Sequence, residues 1–195
     1  MTPMNPPVTP PVTPSAARPD RHDDVAARVH ALAQRLLSRG EWLGTAESCT
    51  GGLSAGACTD LAGSSGWIDS GVVSYSNEAK QDFLGVPAAL LAAHGAVSEP
   101  VALAMVQGIA QRVQAHRPGQ GVWAVAVTGI AGPGGGSVAK PVGTVWLAWT
   151  GPGVPPQAQC CVFPGDRAAV RHQTVVQALQ GLLDRIPLPA GAAPG

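Results

Sequence analysis

Ser48, Tyr75 and Lys80 are the side chains of this 195-residue chain whose types could together break a bond. A serine hydroxyl is a weak nucleophile until a base takes its proton. A lysine partly buried among apolar groups has a lowered pKa and can act as that base near neutrality. Tyr75 is the only tyrosine in the chain and could orient either group or pass a proton. The five histidines, at positions 22, 30, 94, 116 and 172, offer no convincing base by position. Spacing alone also leaves ordinary roles open: Ser48 as a helix cap, Tyr75 at the edge of the core, Lys80 as a solvated charge.

Three segments hold these residues and others like them. The first is Thr45 to Gly52, TAESCTGG, entered through the apolar pair Trp42–Leu43 and followed by a small-residue helical stretch from Leu53 to Leu61. A strand that ends in polar residues, before a helix opened by glycines, leaves N–H donors without internal partners and favours negative charge there. Thr50, Gly51 and Gly52 are the candidate donors. Cys49 is a rival nucleophile, since a helix N-terminus lowers a thiol pKa. Adjacent residues of an extended segment point opposite ways, so one of Ser48 and Cys49 faces the pocket. The second segment is Ser74 to Lys80. The third, Thr128 to Gly136, is glycine-rich, and closely spaced glycines let backbone amides approach phosphate oxygens. Thr128, Gly129, Gly132 and Gly134 are its candidate ligands, with Lys140 and Arg167 as further phosphate partners. The run is neither a Walker loop nor a dinucleotide fingerprint, and a mobile loop or hairpin connection is its plain alternative.

The elements that must position these segments can be read from pattern. Asp23 or Asp24 caps a first helix, with Val25, Val29, Leu32, Leu36 and Leu37 on one face and Gly40 as its stop. Strands are expected into Ser48, over Gly71–Tyr75, over Val122–Val127, over Gly143–Trp149 and over Gln157–Phe163. Short helices are expected over Asn77–Phe83 and Pro87–Ala93, and longer ones from Ser98 to about His116 and from Asp166 to about Arg185. Early strands alternate with helices, which favours parallel pairing, whereas the last two strands are joined by the Gly151–Gly153 turn and favour an antiparallel pair. The fold class is therefore α/β with a mixed sheet covered on both faces. In open α/β sheets ligands bind beyond the carboxyl ends of the strands, where all three segments fall.

Residues 1–20 are rich in Pro and Thr and read as a disordered arm, residues 21–186 as one domain, and residues 187–195 as a flexible tail. Twelve basic and twelve acidic residues leave no net charge, which argues against a nucleic-acid or membrane-surface partner. No apolar run is long enough to span a bilayer and no secretory signal opens the chain, so the expected location is the cytoplasm. Four cysteines, at 49, 58, 160 and 161, lack zinc-ligand spacing and read as reduced thiols. No metal and no cofactor are expected.

Six segments resemble the CinA C-terminal domain family in the same order throughout: TAESCTGG, LAGSSGW at 61–67, VVSYSNEAK at 72–80, HGAVSEPV at 94–101, TGIAGPGGG at 128–136 and KPVGTVW at 140–146. The resemblance spans about Asp24 to Arg185. It implies a three-layer α/β/α sandwich around a mixed, mostly parallel five-stranded sheet. It implies hydrolysis of the carboxamide of nicotinamide mononucleotide to nicotinate mononucleotide and ammonia, in pyridine-nucleotide salvage. The family's serine, tyrosine and lysine fall on Ser48, Tyr75 and Lys80, with Thr128 keeping a hydroxyl at the start of the glycine motif. On this reading the amides of Thr50 to Gly52 stabilise the oxyanion, and the glycine loop holds the ribose phosphate. A homo-oligomer is plausible. The competing readings are a non-catalytic nucleotide-binding module and a thiol hydrolase built on Cys49.

Overall fold

The computed structural model describes residues 22–188; the expected arm over residues 1–20 and most of the tail lie outside them. The described residues begin with α1 (His22–Arg39), which already contains Asp23 and Asp24, so neither is its cap. Val29, Leu32 and Leu36 are buried, but Leu37 is 53% exposed. It lies one residue, about 100°, round the helix from Leu36, outside the apolar stripe. Gly40 ends the helix with φ +63°.

There follow β1 (Trp42–Glu47), α2 (Leu53–Thr59), a short 3₁₀ turn (Ser64–Gly66), β2 (Ile68–Val73), α3 (Asn77–Leu84), α4 (Ala88–His94) and α5 (Glu99–His116). The chain closes with β3 (Val122–Gly129), β4 (Thr144–Gly151), β5 (Val154–Val162) and α6 (Arg167–Leu183). The sheet order is β2-β1-β3-β4-β5. β1 runs parallel to both β2 and β3, while β4 is antiparallel to β3 and to β5. Four strands thus point one way and β4 alone is reversed, the mixed and mostly parallel sheet that the sequence implies.

Two apolar cores make the outer layers. On one face Leu32 and Leu36 of α1, Cys58 of α2 and Val170, Leu179 and Leu182 of α6 pack together with Trp67, Trp123 and Trp149. On the other, Leu84 of α3, Leu91 of α4 and Val101, Met105, Ile109 and Val113 of α5 form the second core. β3 feeds both. Trp123, Val125 and Val127 face the first core, and Val122, Ala124 and Ala126 the second. A strand covered on both faces reads as an unbroken apolar run for this reason. Among the described residues no helix is long and apolar enough to cross a membrane.

Candidate active site

The parallel strands β2, β1 and β3 lie side by side, and the three polar segments leave their carboxyl ends together. Ser48 is the first residue past β1. Its N–H donates to Val127 O of β3 at 3.1 Å, and the N–H of Ser74 donates to Glu47 O at 2.8 Å. The backbone carrying the hydroxyl is therefore tied to a strand on each side. Ser48 is buried, at 8% exposure.

Lys80 comes from α3. Ser76 caps that helix, accepting from the N–H of Ala79 at 3.0 Å, and Gly85 at φ +66° ends it. The Lys80 side chain is 1% exposed. Its Nζ lies 3.1 Å from Ser48 Oγ, 2.7 Å from Ser74 O and 3.4 Å from Tyr75 O. All three partners are uncharged. Burial pushes the amine below its ordinary value, with Cys49 opposing. Three oxygens match the three N–H bonds of the charged amine; the free amine keeps two N–H bonds for the carbonyls and turns its lone pair to the serine hydroxyl.

Glu47 was not singled out by the sequence, yet it organises the turn. Its side chain is buried and accepts from five donors. Oε2 takes Thr50 Oγ1 at 2.6 Å and the N–H groups of Gly52 and Ser54, both at 3.1 Å. Oε1 takes the N–H of Ala55 at 2.8 Å and Thr45 Oγ1 at 3.4 Å. A carboxylate is the side chain that accepts without donating. The start of α2 is thus filled from within, and Ser48 is not its cap. The N-cap is Gly52, which with Gly51 lies in the left-handed region at φ +94° and +62°. Only glycine adopts two such conformations in succession without strain. This corrects the expectation for two amides of the turn: that of Gly51 donates to Ser48 O and that of Gly52 to Glu47. The N–H groups of Cys49 and Thr50 have no backbone partner among the described residues.

Cys49 points the other way from Ser48, into the first core. Burial pushes its thiol up to about 11. A thiol so placed is protonated at neutrality and is a poor nucleophile.

Two arginines of α6 close the ring of loops. Arg167 donates to Gly132 O at 2.9 Å and to the Tyr75 hydroxyl at 3.2 Å. Arg171 donates to Thr50 O at 2.7 Å, while its Nε is buried without a partner. Arg167 was expected here; Arg171 was missed, although its place one turn further on the same face could have shown it. The structure also redirects Tyr75. Its carbonyl touches Lys80, and its hydroxyl meets Arg167 rather than Ser48 or Lys80.

The third segment splits into parts. Thr128 is buried and spends its hydroxyl proton on Ala96 O at 2.8 Å. Lys140, expected as a phosphate partner, instead donates to Val97 O at 2.7 Å and to His94 O at 3.1 Å. Both side chains anchor the turn between α4 and α5. A Cβ on Gly129 would come within 2.6 Å of Val145, and one on Gly132 within 2.6 Å of Val142. Those two glycines let the loop fold against the start of β4. Gly134 meets open space. Among the described residues no group of three or more His, Cys, Asp or Glu side chains is placed to hold a metal ion.

A three-layer α/β fold whose first strand delivers a buried serine onto a buried lysine defines a class. A model of the CinA C-terminal domain family matches residues 25–186, and the chain belongs to that family. It is 52% identical over 148 residues to a CinA-like protein of Anaeromyxobacter dehalogenans, covering 76% of this chain and 35% of that one. The chain thus spans about a third of the length of that relative. It is 50% identical over 161 residues to the nicotinamide-nucleotide amidohydrolase PncC of Pseudomonas putida, covering 83% of this chain and 96% of that one. Its fold matches the crystal structure of the competence/damage-inducible protein CihA from Agrobacterium tumefaciens, with a TM-score of 0.76 and 42% identity. That match covers 83% of this chain and 94% of the other.

Proposed function

We propose that this chain hydrolyses the carboxamide of nicotinamide mononucleotide, giving nicotinate mononucleotide and ammonia, with Ser48 as nucleophile and Lys80 as its base. The observation that carries this reading is the 3.1 Å approach of Lys80 Nζ to Ser48 Oγ, inside a pocket where every other partner of the amine is a carbonyl. The named activity of relatives that align over most of this chain supplies the substrate.

The chemistry follows from the placement. Lys80, as the free amine, takes the Ser48 proton while Oγ bonds to the carboxamide carbon. The negative charge that develops on the carboxamide oxygen is met by the N–H groups of Cys49 and Thr50. The tetrahedral intermediate collapses, the C–N bond breaks, and the proton held on Lys80 passes to the leaving amine, which departs as ammonia. Water then attacks the Ser48 ester and gives a proton to Lys80. Collapse of the second intermediate releases nicotinate mononucleotide, and the proton returns to Oγ. No further reactant is needed. Arg167 and Arg171 present two cationic groups beside the Gly132 and Thr50 loops and suit the ribose phosphate. Tyr75 stands at the rim with Arg167 and lines the substrate rather than moving the proton. All four cysteines are free thiols, which suits a reducing compartment and hence the cytoplasm.

The test is ammonia release from nicotinamide mononucleotide by the purified chain, with a chelator present. Turnover that vanishes in Ser48→Ala and survives in Cys49→Ala is the expected result. Saturable binding of the nucleotide with no ammonia released would mark a binding module instead.

A further inference from the structure

We propose that Glu47 is a positioning residue for the serine site: its carboxylate holds the turn from Ser48 to Gly52 in the shape that presents the Cys49 and Thr50 amides to the oxyanion. The proposal rests on the hydrolytic reading of the same site. Four of the five donors on Glu47 lie in or just after this turn: the hydroxyl of Thr50 and the N–H groups of Gly52, Ser54 and Ala55. The fifth is Thr45 Oγ1, two residues back on β1. One side chain therefore pins both ends of the segment that contains the nucleophile. Its own backbone adds a third constraint, since Glu47 O accepts from Ser74, whose carbonyl in turn holds Lys80. Hydroxyl, amides and amine are thus referred to one residue that no substrate need touch.

The amides also need the carboxylate for a second reason. The first N–H groups of a helix compete for any anion nearby. With Gly52, Ser54 and Ala55 already answered by Glu47, the two amides ahead of them are left to receive the charge that forms on the substrate. A glutamine at position 47 has one acceptor oxygen in place of two. If that oxygen takes the three donors now on Oε2, the amide nitrogen faces the N–H of Ala55, and donor meets donor.

The experiment compares Glu47→Gln with wild type for ammonia release from nicotinamide mononucleotide, with the affinity for nicotinate mononucleotide measured by calorimetry and the melting temperature alongside. Misplacing a reacting group by about 1 Å lowers rates about 100-fold. The expected result is a kcat lowered by about that factor, with KM and product affinity changed less than about threefold, since the phosphate contacts lie on α6. A residue that only supported the fold would lower the melting temperature and leave kcat of the folded protein unchanged. If Glu47→Gln does not fold, Thr50→Val removes the shortest of the five bonds and must lower kcat, and Thr50→Ser must restore it. Wild-type kcat in Glu47→Gln, or in Thr50→Val where the glutamine variant is unfolded, overturns the proposal and leaves the hydrolytic reading standing. A wild-type chain that releases no ammonia overturns both.

Discussion

Lys80 carries an unusual burden for a lysine: it is 1% exposed and faces three uncharged acceptors. Its burial lowers the pKa, and the consequence for stability has a definite sign. Below the folded-state pKa both states hold the proton, and the folded state bears the full desolvation cost. As pH rises from there toward the ordinary lysine value, the unfolded chain binds more protons than the folded one, so stability rises. Melting curves of wild type and Lys80→Met should therefore diverge in favour of wild type as pH is raised from neutrality; a constant difference would mean that the amine is not perturbed. Tyr75 makes a sharper residue-scale test. Its hydroxyl meets Arg167, so Tyr75→Phe should raise KM severalfold and leave kcat within about threefold of wild type. A large fall in kcat alone would restore the proton-relay role. Ser48 and Lys80 were named from the sequence, but spacing alone left a helix cap and a solvated charge as the plainer readings, and it was the six-segment resemblance that put them first. Glu47 and Arg171 were not singled out. A carboxylate that satisfies backbone amides leaves no pattern in spacing, and an arginine on an amphipathic helix reads as a solvated charge until its neighbours are known.

At the scale of elements, the site depends on how α3 is seated. Gly108 of α5 lies against the end of that helix, and a Cβ there would stand 2.0 Å from Leu84 O. The neighbour is backbone, so α3 must move. Gly108→Ala should cost about 1–3 kcal/mol of stability and lower kcat as well, because Lys80 rides on the displaced helix. Urea denaturation and the ammonia assay together check this. Retained kcat in a destabilised variant would show that the Lys80 position tolerates such a shift. The sequence placed these elements well where the pattern was helical and the caps were explicit. Asp166 does cap α6, accepting from the N–H of Ala169 at 2.8 Å, and Val101, Met105, Ile109 and Val113 are all buried. Strand ends were harder. β2 stops at Val73 rather than Tyr75: the N–H of Ser74 still reaches Glu47 O, but the carbonyls of Ser74 and Tyr75 turn to Lys80. β5 starts at Val154, three residues before the expected Gln157. Pro155 and Pro156 argue against a strand by composition, but β5 is the outermost strand, where a missing N–H costs little.

For the whole molecule, the sheet separates two cores, with β1, β3 and β4 each sending alternate side chains into both. Leu36 lies in one and Ile109 in the other. Leu36→Ala should cost about 2–5 kcal/mol and Ile109→Val about 1 kcal/mol. The double variant should match their sum within about 0.5 kcal/mol in urea titrations, and a larger departure would show the two faces to be coupled. What the sheet holds in common is its carboxyl edge, where loops from β1, β2 and β3 are joined to one another through Lys80, Arg167 and Arg171. That convergence was inferred from the parallel order of the early strands. The particular bonds were not, since they depend on side chains up to 121 residues apart in sequence. The proposed hydrolysis requires Lys80 to act as the free amine, and the direct measurement is kcat/KM for ammonia release across about pH 5–10 in wild type and Lys80→Arg. A guanidinium keeps the charge but cannot give up its proton in this range. The wild type should show activity rising with pH along a limb set by Lys80, and Lys80→Arg should fall by about 100-fold or more at every pH. A Lys80→Arg enzyme with wild-type rates and the same rising limb would contradict the account.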